Sequence, residues 1–286
     1  MPFDWRQLSA QQMNEHFNPR VACPNAQDHL DRFIARSADA CKSVPGLFDV
    51  RYGGGEKQTI DVHIPEERSA AAPLVIFIHG GYWRGLDKCE HSFVAPPIMQ
   101  TGAVVANVNY DLCPHVTLDA IVEEIAQAVS YCHLNAQQWG ADPNNLYLVG
   151  HSAGAHLAAQ MLFRSWPQQR LTAGAIRAIA AITGVYEPEV ILEIPTNDDA
   201  KISAESAAQQ TCLGRTFTSR PQMLIAVGGD EPRGWIGQSE SYAKHCSISD
   251  LPTELMIVPG TNHFTVLEHA VNPEAPLCKA MFKLWQ

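Results

Sequence analysis

Ser152 lies in Gly150-His151-Ser152-Ala153-Gly154, a G-x-S-x-G pentapeptide. Alone, such a match arises by chance in roughly one chain in ten of this length, given about 7% each of Gly and Ser. The flanks give it weight: 146–149 reads as a strand directly before it and 155–164 as a helix directly after. A strand–turn–helix of this kind holds a serine in a strained conformation with its hydroxyl exposed. It also demands small neighbours two residues away on either side, hence Gly150 and Gly154. A serine hydroxyl is a weak nucleophile at neutral pH and needs a base, and the base needs a group to orient it. In this arrangement they follow in the order serine, acid, histidine. Three histidines lie downstream. His245 falls in a helical stretch, 236–246, where a surface position is expected, and His269 falls in the helical pattern after 266–268. His263 sits in a loop, 260–264, just beyond a strand at 254–258, the place for a mobile base. The acid should follow the strand at 223–227, where Gly228-Gly229-Asp230-Glu231 supplies two carboxylates that spacing does not separate.

Acyl transfer also develops an oxyanion that must be stabilised. His79-Gly80-Gly81-Tyr82-Trp83 follows a strand at 74–78 and is suited to present backbone donors. The N–H groups of Gly81 and Tyr82, with that of Ala153 after the serine, would form the hole; losing one such donor typically costs about 10²–10³ in rate. His79 ends a buried strand, so a local structural hydrogen bond is expected of it rather than proton transfer. His151 and His156 flank the serine, but H-x4-H is not the i,i+4 zinc pattern and no Glu follows His151. No metal and no cofactor is expected.

The elements that position these residues repeat from residue 73 onward. Apolar runs at 74–78, 103–108, 146–149, 175–182, 223–227 and 254–258 alternate with helical stretches at 88–100, 117–138, 153–165 and 236–246. Alternation of buried strand and amphipathic helix predicts a mostly parallel sheet with helices on both faces. Gly53-Gly54-Gly55 separates two period-2 segments, 47–52 and 59–64, and predicts a hairpin rather than a phosphate-binding loop. Residues 1–45 read as a helical extension, and 186–220 break the rhythm with prolines and a polar stretch, as a lid or cap would. Because the candidate residues run from 79 to 263, one α/β domain must span them all.

Composition narrows the partners. The chain has 286 residues, 30 acidic against 20 basic, for a net charge of −10. With no long basic run, an electrostatic grip on nucleic acid or on an anionic membrane is not expected, and the balance points to neutral or cationic small molecules or other proteins. Eight cysteines with no CxxC pair read as reduced thiols, and no apolar run approaches the ~18 residues that span a bilayer. A cytoplasmic protein is expected.

Taken together, the residues resemble the arylformamidase (kynurenine formamidase) branch of the α/β-hydrolase superfamily. The marker is His79-Gly80-Gly81-Tyr82-Trp83, since that branch carries HGGxW where a sister branch carries HGGG. Phe17-Asn18-Pro19-Arg20, Asn109 to Pro114, the serine elbow, Gly184-Val185-Tyr186 and Asn262-His263-Phe264 resemble it in the same order. The resemblance implies that Glu231 rather than Asp230 is the acid, although Pro232 to Trp235 replaces the family's more acidic stretch. It implies hydrolysis of N-formyl-L-kynurenine, or else of another small aromatic amide or ester. Tyr82, Trp83, Tyr186 and His151 are then candidate substrate contacts. A homodimer is an allowed assembly.

Overall fold

Residues 3–167 and 170–286 are described by a computed structural model. The apolar runs become eight strands: β1 (Gly46–Arg51), β2 (Thr59–His63), β3 (Ala72–Ile78), β4 (Val104–Val108), β5 (Ala141–His151), β6 (Ile176–Ile182), β7 (Gln222–Gly228) and β8 (Thr253–Val258). They form one sheet in the order β1-β2-β4-β3-β5-β6-β7-β8. From β4 to β8 all neighbours are parallel, while β2 runs antiparallel to β4 and to β1, closing the hairpin around the glycine triplet. The chain moves from β3 to one side as β4 and then to the other as β5. The carboxyl ends of β3 and β5 therefore open a crevice where sheets of this kind hold ligands.

β3 shows why the strands read as unbroken apolar runs. Leu74, Ile76 and Ile78 point into one core layer, and Val75 and Phe77 into the other. Each such side chain, fully withdrawn from water, contributes roughly 1.5–3 kcal/mol. The first layer is covered by α5 (Leu118–Asn135), α6 (Ala153–Gln160) and α9 (Arg233–Ile248). The second is covered by α3 (Ala26–Ser43), α4 (Ala95–Met99), α10 (Thr265–Ala270) and α11 (Pro276–Phe282). The extension adds α1 (Ala10–Phe17) and α2 (Pro19–Ala22), and the segment between β6 and β7 adds α7 (Asn197–Ala200) and α8 (Ala204–Gln209).

The expected helix over 88–100 is instead two 3₁₀ turns, Lys88–Glu90 and Ser92–Val94, followed by the short α4. Pro96 and Pro97 cannot donate to the carbonyls one turn earlier, so an α-helix can begin beside them but cannot run through them. The helix expected over 153–165 likewise ends at Gln160 and tightens into a 3₁₀ turn, Met161–Phe163. Among the described residues no helix is long and apolar enough to cross a membrane.

Candidate active site

The serine comes first because the backbone presents it. Ser152 joins β5 to α6 with φ +56° and ψ −121°, a conformation unfavourable to a residue with a side chain. Its N–H is fixed on the carbonyl of Ile182, 2.8 Å away. The glycines either side are required by contact. A Cβ on Gly150 would stand 2.2 Å from the carbonyl oxygen of Gly154, and one on Gly154 would stand 2.0 Å from that of Ile78.

Two further loops converge on this hydroxyl. After β8, Asn262 Oδ1 accepts from the N–H groups of Phe264 and Thr265, both at 3.0 Å, and so shapes the turn that carries His263. His263 Nε2 lies 3.0 Å from Ser152 Oγ, and its Nδ1 lies 2.8 Å from Glu231 Oε2. A carboxylate only accepts, so Nδ1 carries the hydrogen and Nε2 keeps the lone pair that the serine proton needs. Trp235 packs against the imidazole with ring centroids 4.4 Å apart. After β7, Glu231 is buried and its Oε1 accepts from Gly228 N at 2.9 Å and from the hydroxyl of Thr183. Asp230, left open as an alternative acid, points to solvent, and only its backbone N–H is engaged, 2.9 Å from the carbonyl of Thr261. Adjacent carboxylates thus have opposite environments.

The third loop follows β3. Gly81, Tyr82 and Trp83 have φ values of +117°, +50° and +57° in succession. This left-handed run leaves the N–H groups of Gly81 and Tyr82 without an acceptor among the described residues, while the Gly81 carbonyl takes two, from Arg84 and Gly85, each at 3.1 Å. The turn is held from behind. His79 Nδ1–H donates to the Gly80 carbonyl at 2.7 Å, and Tyr110 OH donates to that of His79 at 2.9 Å while its ring stacks on the imidazole. His79 has the structural task expected of it. A Cβ on Gly80 would lie 3.0 Å from Ser152 Cβ, so the turn abuts the elbow only because that residue is glycine. Ala153 N–H, in the first turn of α6, completes a set of three donors beside the hydroxyl.

A cavity of about 130 Å³ opens over these groups. Ser152, His263, His151, Gly81 and Tyr82 line it, and the extension contributes Asn18, Pro19 and Arg20. Tyr82 is fixed there by donating its hydroxyl hydrogen to the carbonyl of Phe17. Trp83 and Tyr186, expected as substrate contacts, do not line the cavity. The left-handed turn carries Trp83 under itself into the core, edge-on to His156 at 5.1 Å. Tyr186 folds back over Gly184, where a Cβ would sit 2.6 Å from its ring, and stacks on Tyr242 at 4.1 Å. His151 does reach the cavity, but its Nε2–H donates to the His263 carbonyl at 2.8 Å, so it braces the base's loop. Burial, reinforced by the neighbouring His263, holds its pKa well below the ordinary histidine value. His245, expected at the surface, is half-buried with Nε2 on the Arg215 carbonyl at 3.0 Å.

Thr183 escaped the sequence reading. It directly follows β6 with φ +50°, and the only trace of its role is its place just past a strand's carboxyl end, before Gly184. The sequence marks Arg20 only within the Phe17-Asn18-Pro19-Arg20 motif, and gives no sign of its place on the cavity wall, 132 positions from the serine.

A strained serine after β5, a buried carboxylate after β7 and a histidine after β8, on an eight-stranded and mostly parallel sheet, define an α/β-hydrolase. Known proteins agree. The family profile described as BD-FAE matches residues 60–229. A kynurenine formamidase from Danio rerio is 30% identical, with 98% of each chain covered. An isoprenylcysteine alpha-carbonyl methylesterase from Arabidopsis thaliana is 23% identical over 74% of this chain and 55% of its own. A solved structure of a candidate thioesterase from Silicibacter sp. tm1040 superposes with a TM-score of 0.78 at 26% identity, covering 94% of this chain and 97% of that one. The chain belongs to the BD-FAE family and, within the α/β-hydrolases, to the kynurenine formamidase-like branch. It is a hydrolase of small substrates.

Proposed function

We propose that the protein is a serine hydrolase that removes a small acyl group from an aryl amide, and specifically an arylformamidase converting N-formyl-L-kynurenine and water to L-kynurenine and formate. Ser152 Oγ attacks the formyl carbon as His263 Nε2 takes its proton, and Glu231 stabilises the resulting imidazolium. The carbonyl oxygen, now negative, is received by the N–H groups of Gly81, Tyr82 and Ala153. His263 then protonates the departing aryl nitrogen as the C–N bond breaks, leaving a formyl ester on Ser152. Water, deprotonated by the same histidine, releases formate.

The observation that carries this reading is the unbroken hydrogen-bond chain Ser152–His263–Glu231 beneath a cavity of about 130 Å³. The void is somewhat smaller than the roughly 150 Å³ that accommodates one benzene ring, so it admits the reacting end of such a substrate and leaves the remainder at its open mouth. Thirty per cent identity to a kynurenine formamidase over nearly the whole chain supports the same substrate class. The second reading, a carboxylesterase acting on small aromatic esters, is favoured by the methylesterase relative, since the same groups serve either acyl transfer. Labelling by a fluorophosphonate should occur in the wild type and vanish in Ser152→Ala; an unlabelled wild type would sink both readings. The ratio of kcat/KM for N-formylkynurenine to that for a short-chain aryl ester decides between them, and a large ester preference would overturn the first.

A further inference from the structure

Behind the oxyanion turn, His79 is enclosed by groups that the proposed chemistry does not use. Its ring lies between those of Tyr110 and His91, with centroids 4.3 Å and 5.6 Å away, and the residue is fully buried. Nδ1 faces the Gly80 carbonyl at 2.7 Å, and Nε2 faces Asn109 Oδ1 at 3.0 Å. The other neighbours of Asn109 decide which end of its amide meets the ring. Asp87 Oδ2, at 2.8 Å, can only accept and so takes Nδ2. The Lys88 N–H, at 3.4 Å, can only donate and so takes Oδ1. Both ring nitrogens of His79 therefore meet acceptors. A neutral imidazole carries one hydrogen and would press a bare lone pair against one of them.

Burial lowers the His79 pKa, while the Gly80 carbonyl, Asp87 and Asn109 act in the opposite direction and Lys57 adds a smaller repulsion. A neutral ring avoids that burial cost but seals two acceptors face to face where solvent does not reach. The surrounding charges are arranged for a cation. Burial raises the Asp87 pKa, but hydrogen bonds from Lys57 Nζ at 2.6 Å, the Cys89 N–H at 3.1 Å and Asn109 outweigh it. They hold that carboxyl well below the usual carboxylate range. His91 gives its own Nδ1–H to the Asp87 carbonyl at 3.1 Å and stays neutral, its pKa pushed down to about 3 by burial and by His79. Lys88 turns its ammonium away, to Asp61 at 2.7 Å and Asp49 at 2.8 Å.

We infer that His79 is an imidazolium, that Asp87 is its counter-ion acting through Asn109, and that this buried cation strengthens the oxyanion hole. The link is covalent. The Gly80 C=O and the Gly81 N–H belong to one peptide group, so a charged donor on the oxygen draws electrons from the nitrogen and makes its hydrogen a better donor. Asp87 and Asn109 are thus positioning residues that touch no substrate. The catalytic consequence rests on the proposed role of the Gly81 N–H; the state of the ring does not.

The ring can be read directly in the folded protein labelled with ¹⁵N-histidine. At pH 7 nuclear magnetic resonance should show two ring N–H protons for His79, identified by the signals that vanish in His79→Gln, and one in Asp87→Asn. A single N–H in wild type overturns the inference, whatever the activity and whether or not Asp87→Asn folds. With whichever of formamide or aryl ester is cleaved, kcat should fall about tenfold to a hundredfold in Asp87→Asn with KM little changed, the scale of one charge-assisted hydrogen bond. Lys57→Gln removes the other partner of Asp87 but keeps its charge, so it should cost less. A pair that merely braced the turn would give equal losses, and that result overturns the counter-ion role. Asp87→Asn should add nothing to His79→Gln in the double variant, and additive losses overturn the path through the ring. If neither substrate is cleaved while two N–H protons are seen, the functional reading fails and the charge assignment stands.

Discussion

In the turn after β7, Glu231 is buried, and three donors from three loops are committed to its carboxyl group: Gly228 N, the Thr183 hydroxyl and His263 Nδ1. In the turn after β3 the situation is inverted. Carbonyls are satisfied from behind by His79, Tyr110, Arg84 and Gly85, while the N–H groups of Gly81 and Tyr82, residues that line the cavity, have no acceptor among the described residues. A standing charge in a buried site must be hydrogen-bonded at all times. A charge that exists only during the reaction is best served by donors already aimed and otherwise idle. On the proposed reading, the acceptors of the first turn and the donors of the second are two halves of one electrostatic design.

The sharpest way to break this contrast is Glu231→Gln. It keeps the shape and removes the charge, and kcat should fall by about 10³–10⁴ in a steady-state assay. Asp230→Asn, one residue away in solvent, should stay within about twofold. Equal small losses would place the orienting acid elsewhere. Next comes Gly81→Ala. Its Cβ would stand 2.1 Å from the Gly85 carbonyl at a φ of +117°, so the donors must move. A loss of about 10²–10³ in kcat is expected, with a lowered Tm. Activity close to wild type would mean that this turn does not form the oxyanion hole.

The smallest effect concerns the rear of the same turn. His91 is buried against His79, and burial, aided by that second imidazole, depresses its pKa to about 3. The folded protein therefore refuses a proton that the unfolded chain accepts at about pH 6.5. Stability from this group is complete above about pH 6.5 and is lost as pH falls toward 3, at up to about 1.4 kcal/mol per pH unit. Urea midpoints measured from pH 7 to pH 4 should decline in wild type and decline less steeply in His91→Phe. Parallel lines would remove His91 from the acid response.

The strands and the serine, histidine and glycine positions were readable because each depends on local signals: continuous apolar runs, small residues about the elbow, a loop directly after a strand. Asp230 and Glu231 could not be separated by spacing, since one step along a turn reverses which side chain faces inward. Trp83 and Tyr186 were misplaced for a related reason. Being aromatic marks a side chain as large and apolar, but the left-handed turn and the opening at Gly184 decide that both go to the core rather than the cavity. Arg20 and Thr183 depend on contacts between distant segments, which no short window contains.

The clamped extension also sets an order of events during synthesis. His16 bonds to Gly234, His29 stacks on Phe264 at 5.4 Å, and Arg36 pairs with Glu268 at 3.5 Å. Residues 16–36 thus dock on residues 234–268, which are synthesised more than 200 positions later. Until residue 268 has emerged, α3 can lie only on the earlier 3₁₀ turns, where Phe33 meets Phe93 with ring centroids 4.7 Å apart, and its contacts with Phe264 and Glu268 are missing. A nascent chain already carrying Ser152 therefore has its serine elbow before it has Glu231 and His263, the groups hydrogen-bonded in line with it.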